Sequence, residues 1–195
     1  KNAERSEAFM LTLEDIKKYE PLRTYIIKAD EALSALGFTE HSFAHVTKVS
    51  ATAAEILETM GYDPHEIELA RIAGYMHDIG NLVNRVDHSQ SGAVMAFRIL
   101  DNLNMDPADI ATIVAAIGNH DEGTGVAVNA VAAALIIADK SDVRYTRVRN
   151  TDIKNFDIHD RVNYSVRESH LTIDRDAATI TLSLTIDTNF SAVMD

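Results

Sequence analysis

His77 and Asp78 stand side by side in the run Ala73-Gly74-Tyr75-Met76-His77-Asp78-Ile79-Gly80, directly after an apolar stretch with helical spacing. An imidazole nitrogen and a carboxylate oxygen presented together at a helix end can reach one cation. His45 lies upstream, and His88, His120 and Asp139 lie downstream. His45 shares the apolar stripe of its helix, an odd place for an imidazole unless something binds it. Asp139 interrupts Leu135-Ile136-Ile137-Ala138, where a carboxylate is expensive to bury without a cation or a donor. His45, His77-Asp78 and Asp139 therefore point from three helices to one inward-facing metal site. The chain has no cysteine, so the ligands must be nitrogen and oxygen. That donor set suits Fe or Mn, with Co, Ni or Zn also compatible, and it suits oxygen-loving magnesium less.

His88, at the start of a helix, and His120, at the end of another, would enlarge the site. Read singly, the first is a helix cap and the second an exposed residue. His41 precedes His45 by four residues and could share its face. His65, His159 and His170 read as surface residues.

The elements that must position these groups are mostly helices. Thr12-Leu13-Glu14-Asp15 reads as the capping signal of a short first helix. Pro21 opens a helix to Gly37, and Thr39 is a candidate N-cap for one running through Met60 and closed by Gly61. Asp63-Pro64 starts the helix that ends at His77-Asp78. Beyond a loop from Ile79 to Asp87, apolar spacing predicts helices over Gly92–Leu103, from Asp106-Pro107 to about His120, and over Asn129–Val143. From about Tyr164 the period changes to two: Leu171 and Ile173, then Ile180, Leu182, Leu184 and Ile186, with Asp174-Arg175-Asp176-Ala177 between them. A mainly α domain with a short C-terminal antiparallel β-hairpin packed on it follows. Residues 1–160 form the helical part, with its core over about 20–150, and 161–195 the hairpin appendage.

Composition narrows the function. An apolar fraction of 46% with 25% charged residues is that of a soluble globular chain. Lys1–Ala8 is polar and no apolar run spans a membrane, which points to a soluble, cytoplasmic protein. The net charge of −12 argues against a nucleic-acid polymer or an anionic membrane as partner. A small phosphorylated substrate stays compatible, because bound divalent cations reverse the local field. The exposed edge of the C-terminal strands could pair chains into a homo-oligomer.

The order His45, His77-Asp78, Asp139 resembles that of the HD-domain metal-dependent phosphohydrolases, of the type marked by the run His77-Asp78-Ile79-Gly80. The flanks His45-Val46-Thr47-Lys48-Val49 and Ala138-Asp139-Lys140-Ser141-Asp142 are similar to that family's first and last motifs. His88 before Gly92, and Asn119-His120-Asp121-Glu122, resemble the additional ligands of its binuclear members. The resemblance covers roughly residues 20–150 and implies an HD-domain helical bundle. It also departs from the family: Asn81 stands where a lysine or carboxylate is common. Gly123-Thr124-Gly125-Val126 replaces the Gly-Tyr-Pro signature of cyclic-di-GMP phosphodiesterases, which argues against that substrate.

The resemblance implies two divalent ions bridged by Asp78, with His45, His77 and Asp139 on one side and His88 and His120 on the other. A metal-activated hydroxide would then hydrolyse a nucleotide or another small phosphate mono- or diester. Lys48, Lys140, Arg144 and Arg147, with Asn81, are the candidates to bind the substrate, and the basic residues could equally be a solvated helix end. Asp121 or Glu122 could serve as general acid or base or bind the second ion; Asp121 and Asp78 are the residues assigned to catalysis. The alternative reading is a non-catalytic nucleotide-binding or regulatory module on the same fold.

Overall fold

A computed structural model describes residues 11–190. The polar start Lys1–Ala8 and the outer ends of the two spans expected above, residues 1–10 and 191–195, lie outside the described residues.

Eight α-helices among the described residues precede one β-hairpin: α1 Leu13–Lys17, α2 Glu20–Ala35, α3 Phe43–Met60, α4 Pro64–Met76, α5 His88–Asn102, α6 Pro107–Gly118, α7 Ala130–Ser141, α8 Ile158–Ser165, β1 Val166–Asp174 and β2 Thr179–Ile186. The mainly α fold with a C-terminal antiparallel hairpin is as the sequence indicates. Each helix start has a physical cause. Thr12 and Asp15 form a reciprocal capping box at α1, and the Asp63, Asp106 and Asn129 side chains accept from backbone N–H groups at α4, α6 and α7. Pro64 and Pro107 occupy the first helical positions, where no N–H is needed. Gly61 closes α3 with φ of 84°, a conformation that a side chain would oppose.

Four boundaries differ from the sequence reading. Ser42, not Thr39, caps α3: its hydroxyl accepts from the Ala44 N–H, while the Thr39 carbonyl accepts from His41. The expected loop holds a 3₁₀ turn at Ile79–Leu82, and α5 begins at His88 because the left-handed Asp87 offers its carbonyl to Gln90 and Ser91. The α7 helix stops at Ser141, since Asp142 leaves helical geometry with ψ of 62°. Last, α8 was not read from the sequence at all; Asp157 caps it by accepting from Asp160 N–H.

The core runs through α1–α7, with α3 packed on α4 and α7, and α5 on α6. Gly74 lets α3 and α4 meet, since a Cβ there would lie 2.7 Å from Ser50 Cα. In the hairpin, Leu171 pairs with Leu182 and Ile173 with Ile180, as alternation predicts. Leu171 and Ile173 pack on the helical core, whereas Ile180, Leu182 and Leu184 of β2 are exposed. No described helix is long and apolar enough to cross a membrane.

Candidate metal centre

The α3, α4, α5, α6 and α7 helices converge so that six side chains meet. His45 comes from the first turn of α3, His77-Asp78 follows the last residue of α4, and His88 opens α5. His120 follows the end of α6, and Asp139 sits in the last turn of α7. His45, His77, Asp78, His88 and His120 are each at most 5% exposed, against an ordinary surface position for most histidines and carboxylates.

The four imidazoles are oriented alike. His77 Nδ1 lies 2.8 Å from Gly74 O, His88 Nδ1 3.1 Å from Arg85 O, and His120 Nδ1 2.6 Å from Ile117 O. Each partner is a carbonyl three residues earlier in the chain. His45 Nδ1 lies 2.8 Å from Asp142 Oδ2. Carbonyls and carboxylates only accept, so each Nδ1 carries its proton and donates it. Every Nε2 is thereby turned inward as a ligand atom.

Inward, His45 Nε2 lies 3.2 Å from Asp139 Oδ1 and 3.5 Å from Asp78 Oδ2, and His77 Nε2 lies 3.2 Å from Asp78 Oδ2 and 3.6 Å from Asp139 Oδ1. On the other side, His88 Nε2 lies 3.6 Å from Asp78 Oδ1 and 3.2 Å from His120 Nε2. Asp78 thus offers one oxygen to each half. Three overlapping groups, His45-His77-Asp78, His77-His120-Asp139 and Asp78-His88-His120, have ligand atoms within 4.8 Å of one another. His45 Nε2, His77 Nε2 and Asp78 Oδ2 are buried and make no hydrogen bond. Orphaned buried atoms of this kind are costly, and here all three belong to one ligand set. The residues fit a divalent cation.

Charge supports the same fit. Burial and the Arg147 guanidinium press His45 towards neutrality, but Asp139, Asp142 and Asp78 outweigh them and raise it to about 9. Burial likewise opposes the charge on His77, which Asp78 and Asp139 raise to about 10. Against burial, the surrounding imidazoles hold Asp78 and Asp139 well below the usual carboxylate range. In the ion-free protein, protons supply the positive charge that this cluster requires. His120 stays neutral, lowered to about 4 by burial and by His77, and burial also lowers His88.

The cluster floors a cavity of about 620 Å³. Asp78, His88 and Asp139 reach it, with Asp121 and Glu122 from the α6–α7 loop, Arg85, Lys140 and Arg147 as cations, and Phe38, Val143, Ile158 and Val162 as an apolar wall. Of the five side chains expected at the substrate, Lys140 and Arg147 line it. Lys48 Nζ instead lies 2.9 Å from Asp142 Oδ1, and Arg144 bonds Asp142 and Glu40. Asn81 is buried, and its Nδ2 donates to Asp78 Oδ1 at 2.9 Å, so it orients the carboxylate. His159, read as a surface residue, is exposed but lines the cavity with Ile158, Val162 and Asn163 of α8. His41 also lines the cavity, and burial lowers it to about 3. Sequence reasoning passed over Asp142 and Arg85. In the sequence Asp142 is only the last residue of the run Ala138-Asp139-Lys140-Ser141-Asp142, and nothing in local spacing marks Arg85.

Residues 42–164 match the model of the HD domain. The chain belongs to the HD-domain superfamily. All six candidate ligands fall inside the HD domain, and the hairpin begins just beyond its matched span. A relative from Methanocaldococcus jannaschii, the uncharacterized protein MJ1020, is 27% identical over 150 residues; the match covers 66% of this chain and 58% of that protein. The chain therefore spans little more than half the length of that relative. A predicted HD superfamily hydrolase from an uncultured Thermotogales bacterium, known from its crystal structure, superposes with a TM-score of 0.51 at 24% identity, covering 67% of this chain and 73% of that one. It shares the HD fold. An HD domain whose buried His/Asp cluster could hold a divalent metal is what these observations define.

Proposed function

We propose that the chain is a metal-dependent phosphohydrolase acting on a nucleotide or another small phosphate mono- or diester. The observation that carries this reading is the set of four imidazoles, each with Nδ1 tied and Nε2 turned inward towards Asp78 and Asp139, at the floor of a cavity that Arg85, Lys140 and Arg147 line beside Asp121 and Glu122. His45, His77, Asp78 and Asp139 would hold one ion, and Asp78, His88 and His120 a second, with Fe or Mn suited to either set. Bound divalent ions would supply Lewis-acid polarisation of a phosphoryl oxygen and would bring the pKa of a bound water down to near neutral. Asn81 and Asp142 hold Asp78 and His45 in register. Arg147 and Lys140 line the cavity with their charges balanced by Asp142 and by Asp139 and Glu122, and its apolar wall takes a base or another non-polar group. Asp121, half-buried in the cavity lining, is the residue assigned to exchange a proton with the leaving group. Lys48 and Arg144 act through Asp142.

The test is Asp78→Ala. Loss of both bound Fe or Mn, measured by plasma mass spectrometry, and phosphatase or phosphodiesterase turnover is expected. Metal-dependent turnover retained in that variant would sink the reading. One observation favours the second reading, a nucleotide-binding module: Asn81 offers only an amide where a proton-transfer group is common, and that amide is committed to Asp78. Tight nucleotide binding by the metal-loaded chain without product after long incubation would decide for it.

A further inference from the structure

Three cations line the cavity, and two of them are already neutralised. Lys140 Nζ lies 3.0 Å from Asp139 Oδ2 and 2.9 Å from Glu122 Oε2. Arg147 is buried, 4.0 Å from Asp142 Oδ2, and donates to the carbonyls of Glu40 and Asp142. Arg85 has no carboxylate among the described residues within ion-pair reach. Its Nη1 rests instead on two neutral acceptors, 3.3 Å from His88 Nε2 and 3.5 Å from Asn81 Oδ1, and the guanidinium sits 5.8 Å from the Phe38 ring. Arg85 is thus the cavity cation whose charge is uncommitted.

The bond to His88 has a second consequence. His88 Nδ1–H donates to the Arg85 carbonyl, so Nε2 presents the lone pair. The guanidinium uses the same lone pair that an ion at Asp78, His88 and His120 would take. When an ion takes it, Arg85 loses its shorter hydrogen bond and faces a like charge at close range. An oxyanion bridging the ion and the guanidinium restores both balances, and guanidinium with a tetrahedral oxyanion is a strong charge-assisted pair.

We propose that Arg85 is the oxyanion-binding residue of this cavity, held by His88 until an ion at the Asp78-His88-His120 group displaces it onto a phosphate bound there. The proposal rests on the metal-dependent reading above.

Arg85→Gln tests it, because the variant keeps the backbone carbonyl that orients His88. Titration calorimetry on the full chain would follow Mn²⁺ binding first, then inorganic phosphate binding to the Mn²⁺-loaded and the chelator-treated protein. The wild type is expected to bind phosphate only when Mn²⁺ is present. Arg85→Gln is expected to bind the second Mn²⁺ at least as tightly as the wild type, about threefold tighter where the competition is strong, and phosphate about tenfold more weakly. Arg85→Lys should fall between them for phosphate. A guanidinium with only a structural role would weaken Mn²⁺ and phosphate together, and that outcome overturns the proposal. So does unchanged phosphate affinity in Arg85→Gln, or phosphate binding by the wild type that ignores Mn²⁺. Wild-type protein that takes up no Mn²⁺ would overturn the metal-dependent reading itself, whereas normal Mn²⁺ uptake with phosphate indifferent to position 85 removes Arg85 alone.

Discussion

Asp142 shows how one side chain outside the ligand set governs it. Its Oδ2 accepts from His45 Nδ1, and its Oδ1 takes Lys48 and Arg144. Removing a partner of this kind commonly lowers metal affinity 10- to 100-fold. Asp142→Ala is therefore expected to weaken metal binding by about that factor in a competitive chelator titration, with Asp142→Asn milder because its amide oxygen still accepts. Equal affinities in Asp142→Ala and wild type would remove the role. At this scale the sequence was informative wherever an ionisable residue sat in an apolar context: His45 on a hydrophobic stripe, Asp139 directly after Leu135–Ala138. It was silent on Asp142 and Arg85, because the first acts on a partner 97 residues away and the second is set apart by resting on the neutral side chains of Asn81 and His88.

At the scale of elements, the junction after α4 is what brings the two halves of the cluster together. A Cβ on Gly80 would collide with the His88 carbonyl oxygen and the Gly92 nitrogen, so the 3₁₀ turn and the start of α5 touch backbone to backbone. Gly80→Ala must push α5 away and carry His88 with it. The expected cost is about 3 kcal/mol in denaturant unfolding, with less metal bound per chain. Full stability and stoichiometry would contradict the contact. Helical periodicity and proline caps made most helices legible, and period-two alternation revealed the hairpin. Apolar spacing marked α5 only from Gly92, whereas the helix begins at His88, where Asp87 adopts φ of 57°, a conformation that asparagine and aspartate tolerate. The short α8 escaped because most of its residues are polar, yet it forms one wall of the cavity.

Across the whole molecule, the cluster makes stability depend on pH in two opposed ways. His120 and His41 have folded values of about 4 and about 3, below the ordinary 6.5. The unfolded chain binds more protons there, so stability declines as pH falls from about 6.5 towards 3. His45 and His77 have folded values of about 9 and about 10 in the ion-free protein. Their contribution is complete below pH 6.5 and is lost as pH rises through 9 to 10. Ion binding replaces those protons, and metal affinity itself grows with pH. The melting temperature in chelator should therefore fall between pH 7 and 9, while with Mn²⁺ it should hold or rise. Parallel curves under the two conditions would refute the account.

Three of the four imidazoles are locked by carbonyls within their own chain segment. Such locks belong to the backbone and survive any side-chain replacement around them. The lock on His45 alone is a side chain from a distant part of the chain. Heritable variation can thus retune this centre chiefly through position 142, leaving the remaining ligand geometry as a fixed inheritance of the fold.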